Sequence, residues 1–81
     1  MRVRLRFFAS LRERLGAGER DCTLAEGATV ADLWQTLCAE NASLVEVGPS
    51  LSFAVNREYV DRDARLRDGD EVALIPPVSG G

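Results

Sequence analysis

Residues 29–41 read Thr-Val-Ala-Asp-Leu-Trp-Gln-Thr-Leu-Cys-Ala-Glu-Asn. This is the clearest helical pattern in the chain, and the fold prediction is built around it. The Thr29 hydroxyl can cap the first turn, and Asp32, three residues on, can complete a capping box. Four apolar side chains recur at the spacing of one helix face: Val30, Leu33, Trp34 and Leu37. We therefore expect a helix that ends near Asn41 and packs this face, including Trp34, into the core.

Strand patterns lie on both sides of this helix. Before it, residues 2–7 alternate strictly between arginine and apolar side chains, and residues 20–24 suit a second strand. After it, residues 51–55, 59–60 and 71–75 read as strands. This order predicts an α+β, β-grasp (ubiquitin-like) fold. It would have a mixed sheet of about five strands, the first and last parallel at its centre, and one main helix packed on one face.

The connecting segments carry turn signals. Residues 10–15 predict a short helix that stops at Gly16, and Asn56-Arg57 and residues 68–70 predict tight turns. Residues 42–50 show no clear period and contain Gly-Pro, so we expect a loop there.

Composition and spacing argue against autonomous catalysis. A chain of 81 residues makes one small domain with little room for an enclosed active site, and it contains no histidine for general base work. Cys22 and Cys38 lie too far apart for a Cys-x-x-Cys site, so we expect two small buried apolar side chains and no disulfide. The carboxylates at 61–63 and 68–70 are typical of solvated surface or turns. We expect no metal and no bound cofactor.

Charge and hydropathy restrict the partners and the location. The net charge of −3 argues against nucleic acid, and the alternate arginines Arg2, Arg4 and Arg6 are typical of a solvated strand face. An acidic protein partner is the alternative interpretation of these arginines. No stretch suits a membrane-spanning helix or a signal peptide, so we expect no membrane association and a cytoplasmic location.

The end of the sequence suggests a reactive arm. Pro76-Pro77 follows the last strand and leads into Val78-Ser79-Gly80-Gly81. Prolines keep the segment out of the sheet, and two glycines without Cβ atoms can enter a narrow channel. We expect a β-grasp domain over residues 1–75 and a flexible tail over residues 76–81, whose Gly81 carboxylate is the reactive group. The alternative is a frayed terminus without function.

A docking surface is predicted beside this tail. If Val72 and Leu74 face the core, Ala73, Ile75 and Pro77 face outward, and Phe8 on the neighbouring strand joins them. An exposed apolar patch next to a reactive tail is typical of a partner interface. The alternative is that Phe8 and Ile75 are core residues covered by loops.

Three segments together resemble the small, MoaD-type subunit of molybdopterin synthase, a ubiquitin-like sulfur carrier. They are residues 5–13 (LRFFASLRE), 54–57 (AVNR) and 66–81 (LRDGDEVALIPPVSGG), and the resemblance spans the whole chain.

The resemblance implies a carrier function rather than an enzyme. Gly81 would be adenylated by an E1-like, MoeB-type enzyme that consumes ATP, and then converted to a thiocarboxylate. The tail would insert into a MoaE-type large subunit, which holds the catalytic residues and builds the molybdopterin dithiolene in a heterotetramer. The implied insertion residues are Pro76, Pro77, Val78, Ser79 and Gly80, and the implied docking residues are Phe8 and Ile75.

Other functions share these features. Sulfur carriers for thiamine synthesis, tRNA thiolation or cysteine formation have the same fold and diglycine end. A ubiquitin-like protein modifier would link Gly81 to lysines of target proteins, and a plain binding module would carry an inert tail.

Overall fold

The computed structural model describes residues 1–77. Within this range the chain forms five strands, two α-helices and one 3₁₀ helix. In chain order they are β1 (Arg2–Phe7), α1 (Ala9–Leu15), β2 (Glu19–Thr23), α2 (Val30–Glu40), the 3₁₀ helix Ala42–Ser50, β3 (Ser52–Val55), β4 (Glu58–Val60) and β5 (Glu71–Ile75). The two predicted helices and five predicted strands are confirmed, with ends that differ by one residue in α1, β2, β3 and β4.

The strands form one mixed sheet in the order β2-β1-β5-β3-β4. The first and last strands, β1 and β5, run parallel at its centre, with Leu5 opposite Val72, while the other neighbouring pairs are antiparallel. This confirms the predicted α+β, β-grasp arrangement.

Helix α2 begins and ends where the sequence predicts. The Asp32 amide donates to Thr29 Oγ1 at 3.2 Å, and the Thr29 amide donates to Asp32 Oδ2 at 2.9 Å, so both halves of the capping box are present. The Asn41 amide donates to the Leu37 carbonyl and closes the last turn. The predicted apolar face is buried in full.

The core lies between α2 and the inner face of the sheet. Alternation along β1 and β5 sends five apolar side chains inward, each at most 3% exposed: Val3, Leu5, Phe7, Val72 and Leu74. Trp34 packs edge-on against Phe53, with ring centroids 6.1 Å apart, which confirms its core role. On the opposite face of β1, Arg2 and Arg4 are exposed and Arg6 is half-buried.

The prediction of a loop over residues 42–50 is wrong. The segment is a 3₁₀ helix, in which Leu44 is fully buried and Asn41 Oδ1 accepts a hydrogen bond from the Ser43 amide. A 3₁₀ helix repeats every three residues, so its apolar side chains do not follow the 3.6-residue spacing by which an α-helix is recognised. Together with the Gly-Pro pair, this leaves only a weak signal for a helix in the sequence.

The cysteines partly follow the prediction. Cys22 is buried, but Cys38 is only half-buried at the edge of the core, and both are free thiols. Over residues 1–77, no helix combines the length and the apolar character needed to cross a membrane.

Candidate docking site

The outer face of the sheet carries one row of aligned side chains. Arg6 on β1 is opposite Ala73 on β5, Ala73 is opposite Ala54 on β3, and Ala54 is opposite Tyr59 on β4. Two alanines in the middle are much smaller than the residues beside them. The result is a shallow hollow of about 210 Å³ in the centre of the exposed face.

Phe8 and Ile75 line one end of this hollow. Phe8 follows β1 in an extended conformation and is 38% exposed, and Ile75 is the half-buried last residue of β5. The structure therefore brings together the two residues expected to dock a partner, and they are not covered core residues. Ala73 also faces the hollow, and Pro77 is exposed. A role for any of them in binding stays a prediction.

Charged groups form the rim. The Arg6 guanidinium carbon lies 5.5 Å from the centroid of the Phe8 ring, and Arg6 Nη1 lies 3.4 Å from Glu71 Oε1. Arg6 Nε lies 3.9 Å from Glu19 Oε1 and makes no hydrogen bond within the described residues. Arg6 is thus held beside the hollow with its charge largely balanced by neighbouring carboxylates.

Arg2 and Arg4 match the predicted solvated face. Both are exposed, and Arg4 Nε lies 3.5 Å from Asp21 Oδ1 on the neighbouring strand. Such exposed pairs contribute little to stability. They also reduce the positive charge that this part of β1 offers to an acidic partner.

The predicted tail begins next to the hollow. Pro76 is half-buried and Pro77 exposed, directly after Ile75. The predicted insertion residues Val78, Ser79 and Gly80 and the predicted reactive residue Gly81 lie outside the described residues.

The carboxylates at 68–70 stabilise turns, as predicted. Asp68 Oδ1 accepts a hydrogen bond from the Arg2 amide at 2.7 Å, and Asp70 Oδ2 accepts one from the Arg67 amide at 2.8 Å. Residues 1–77 contain no group of three or more potential metal ligands.

The thiols are not activated nucleophiles. Burial raises the pKa of Cys22, an effect that nearby Arg20 opposes and nearby Glu40 reinforces. Burial alone raises the pKa of Cys38. Since the thiolate is the reactive form, both side chains are poorly suited to sulfur transfer by themselves.

Sequence reasoning missed four residues of the hollow: Ala54, Arg57, Tyr59 and Glu71. Tyr59 is 73% exposed. A large exposed aromatic side chain on a strand is typical of a binding surface. The position of Tyr59 opposite Ala54 depends on strand register, which a single sequence does not reveal.

The comparison with protein families agrees with this architecture. The model of the ThiS family matches residues 5–81. The chain belongs to the ThiS family. It is 43% identical to the molybdopterin synthase sulfur carrier subunit of Chlamydomonas reinhardtii, with 100% of each chain covered. It is 40% identical to the subunit of the same name from Escherichia coli, with 98% of this chain and 99% of the relative covered. The predicted resemblance is confirmed.

Solved structures place this ThiS-family chain among ubiquitin-like proteins. SAMP1 of Haloferax volcanii, a small archaeal modifier protein, superposes with a TM-score of 0.88 at 28% identity, with 100% of both chains covered. A chain in the complex of subunits 1 and 2 of molybdopterin-converting factor from Helicobacter pylori 26695 superposes with a TM-score of 0.72 at 27% identity, again over 100% of both chains.

Proposed function

We propose that this chain is the sulfur carrier subunit of a molybdopterin synthase. The observation that carries the proposal is full-length identity of 43% to a relative of that name. The position of the hollow supports it, because Ile75 lines the hollow and Pro76 and Pro77 lead from there toward Gly81. A partner seated on the hollow would therefore lie next to the start of the tail.

The chemistry would take place at Gly81. Its carboxylate ionises well below pH 7, with an ordinary pKa of about 3.3–3.7, and is inert toward nucleophiles. An E1-like, MoeB-type enzyme would activate it: a carboxylate oxygen attacks the α-phosphorus of ATP and pyrophosphate leaves. A hydrosulfide ion from the sulfur donor then attacks the carbonyl carbon, AMP leaves with the electron pair of the broken carbon–oxygen bond, and loss of the thiol proton gives the thiocarboxylate. Gly80 and Gly81 would keep the arm narrow enough for both active sites.

The folded domain would act as the handle for this arm. Phe8 and Ile75 would dock on a MoaE-type large subunit, which holds the catalytic residues and transfers the sulfur to the pyranopterin precursor. Two copies of each subunit would form the heterotetramer, in the cytoplasm, and this chain would bind no cofactor. Holding the thiocarboxylate beside its acceptor would lower the entropic barrier to transfer.

Intact-mass spectrometry tests the proposal. The chain is incubated with ATP, the activating enzyme and a sulfur donor, and we expect a mass increase equal to the difference between sulfur and oxygen. The Gly81→Ala variant should fold normally and lose most of the increase, and omission of ATP should abolish it. An increase that persists after deletion of Gly80 and Gly81 would overturn the proposal.

Protein modification is the second candidate function. The similarity to SAMP1 of Haloferax volcanii favours it. A modifier would be joined through Gly81 to lysines of other proteins, and because the last arginine of this chain is Arg67, trypsin would leave residues 68–81 as a branch on those lysines. Such branched peptides should be absent for a pure sulfur carrier. Carriers for thiamine synthesis or tRNA thiolation would be distinguished by which pathway fails when the chain is deleted.

A further inference from the structure

Arg57 occupies a backbone position that favours glycine. Asn56 and Arg57 form the two-residue turn between β3 and β4, with φ of 50° and 72°. Turns with two positive φ angles favour Asn-Gly, because a side chain at the second position is strained. This chain has the expected asparagine, followed by an arginine. Local backbone stability therefore does not explain residue 57.

Hydrogen bonds connect the turn to the start of β5 and to Asp70 just before it. The Asn56 amide donates to the Glu71 carbonyl at 2.8 Å, and the Glu71 amide donates to Asn56 Oδ1 at 3.1 Å. Asn56 Nδ2 also donates to Asp70 Oδ1 at 2.9 Å. Three hydrogen bonds thus determine where the Arg57 backbone sits relative to the hollow.

Arg57 lines the hollow together with Tyr59 and Ala54. Two other charged residues line it, Arg6 and Glu71, and these form an ion pair with each other. None of the ion pairs within residues 1–77 includes Arg57. The hollow therefore combines an apolar end with one cation that no carboxylate in the described part of the chain balances.

We propose that Arg57 is a specificity-determining residue that binds a carboxylate of the partner protein. This inference rests on the proposed function, in which the large synthase subunit covers the hollow. The matching surface places an apolar side chain against Phe8 and Ile75 and an aspartate or glutamate next to Arg57. A guanidinium can bind a carboxylate through two parallel hydrogen bonds, which selects for position as well as charge.

Binding of the large subunit to matched variants tests this inference. Arg57→Gly and Arg57→Gln remove the guanidinium, and Arg57→Lys keeps the charge without the paired donors. Arg65→Gln is the control, since Arg65 is exposed, does not line the hollow, and gives the same change in net charge. The dissociation constant is measured by titration calorimetry at low and high salt, and the thermal unfolding midpoint is measured for each variant.

We expect Arg57→Gly and Arg57→Gln to weaken binding about 10-fold, the effect of losing a hydrogen-bonded charge pair. Their dissociation constants should also depend less on salt than that of the wild type. Arg57→Lys should be intermediate, and Arg65→Gln should bind like the wild type. Arg57→Gly should not lower the unfolding midpoint, because glycine relieves the positive φ.

Two results would overturn the inference and are distinguishable. If the wild type binds the large subunit and the Arg57 variants match it in affinity and salt dependence, only the role of Arg57 fails. If the wild type does not bind the large subunit, the proposed function fails and this inference fails with it.

Discussion

Gly48 lies against the indole ring of Trp34 so closely that a Cβ atom on Gly48 would be 2.8 Å from Trp34 Nε1. The Gly48 carbonyl accepts a hydrogen bond from the Arg62 guanidinium, whose central carbon lies 4.9 Å from the centroid of the Phe53 ring. These contacts join the 3₁₀ helix to α2 and to the sheet.

Gly48→Ala should therefore destabilise the protein. The added methyl group must push a buried indole or the backbone aside, which costs about 1–3 kcal/mol in the free energy of unfolding. Urea unfolding measures the loss. Gly18→Ala is the control, because the three atoms nearest to its new methyl group all belong to the flexible end of the Arg12 side chain. Equal losses for both variants would contradict the packing described.

Leu74 and Ile75 should separate stability from docking, because they are neighbours on opposite faces of β5. Leu74 is fully buried, so Leu74→Ala should lower the free energy of unfolding by about 2–5 kcal/mol. Ile75→Ala should cost about 1 kcal/mol or less and weaken binding of the large subunit about 10-fold. Urea unfolding and calorimetric titration give the two readouts. If the Ile75→Ala variant binds the large subunit normally, the hollow is not part of the interface.

Alanine substitutions at Thr29 and Thr36 should affect stability differently, because only the Thr29 side chain caps helix α2. Thr29→Ala should lower the free energy of unfolding by about 1 kcal/mol, because the Asp32 amide loses its partner. Thr36→Ala removes a hydroxyl that donates only to the Asp32 carbonyl within the helix. It should be neutral or slightly stabilising, since alanine is the better helix former. Thermal unfolding of both variants tests this prediction. An equal loss of stability for Thr36→Ala and Thr29→Ala would contradict a stabilising role of the cap.

The thiols should react slowly and with a shifted pH dependence. Burial raises the pKa of Cys22 and Cys38, so less thiolate is present near neutral pH than in a free cysteine. Alkylation by iodoacetamide should be slow at pH 7 and keep rising above the pH at which free cysteine levels off. Cys38 should react before Cys22 because it is less buried.

The raised pKa values of Cys22 and Cys38 also make the stability of the protein depend on pH. As pH rises, the thiols of the unfolded chain ionise before those of the folded chain. Their contribution to stability is complete below the unfolded pKa of about 8.5 and is lost as pH passes the higher folded pKa. Alkylation of the urea-unfolded chain is the control, and equal rates in the folded and unfolded chains would show that the thiols are not protected.

The sequence predicts helix α2, its cap and strand β5, because the residues that form each of these patterns lie within a few positions of one another. Thr29 and Asp32 are three positions apart, and the core face of α2 repeats within two turns. The 3₁₀ helix was missed because Leu44 and Gly48 owe their positions to Trp34 and the core rather than to a local period.

Amino-acid order by itself was enough to assign the buried side chains of β1 and β5, since alternation along a strand needs no knowledge of its neighbours. It also placed Phe8 and Ile75 on the outer face. Only the tertiary structure decided that Arg6, Ala73, Ala54 and Tyr59 share one row and that Arg57 reaches the same hollow. These residues come from four strands and a turn, and strand register depends on hydrogen bonds between segments far apart in the chain.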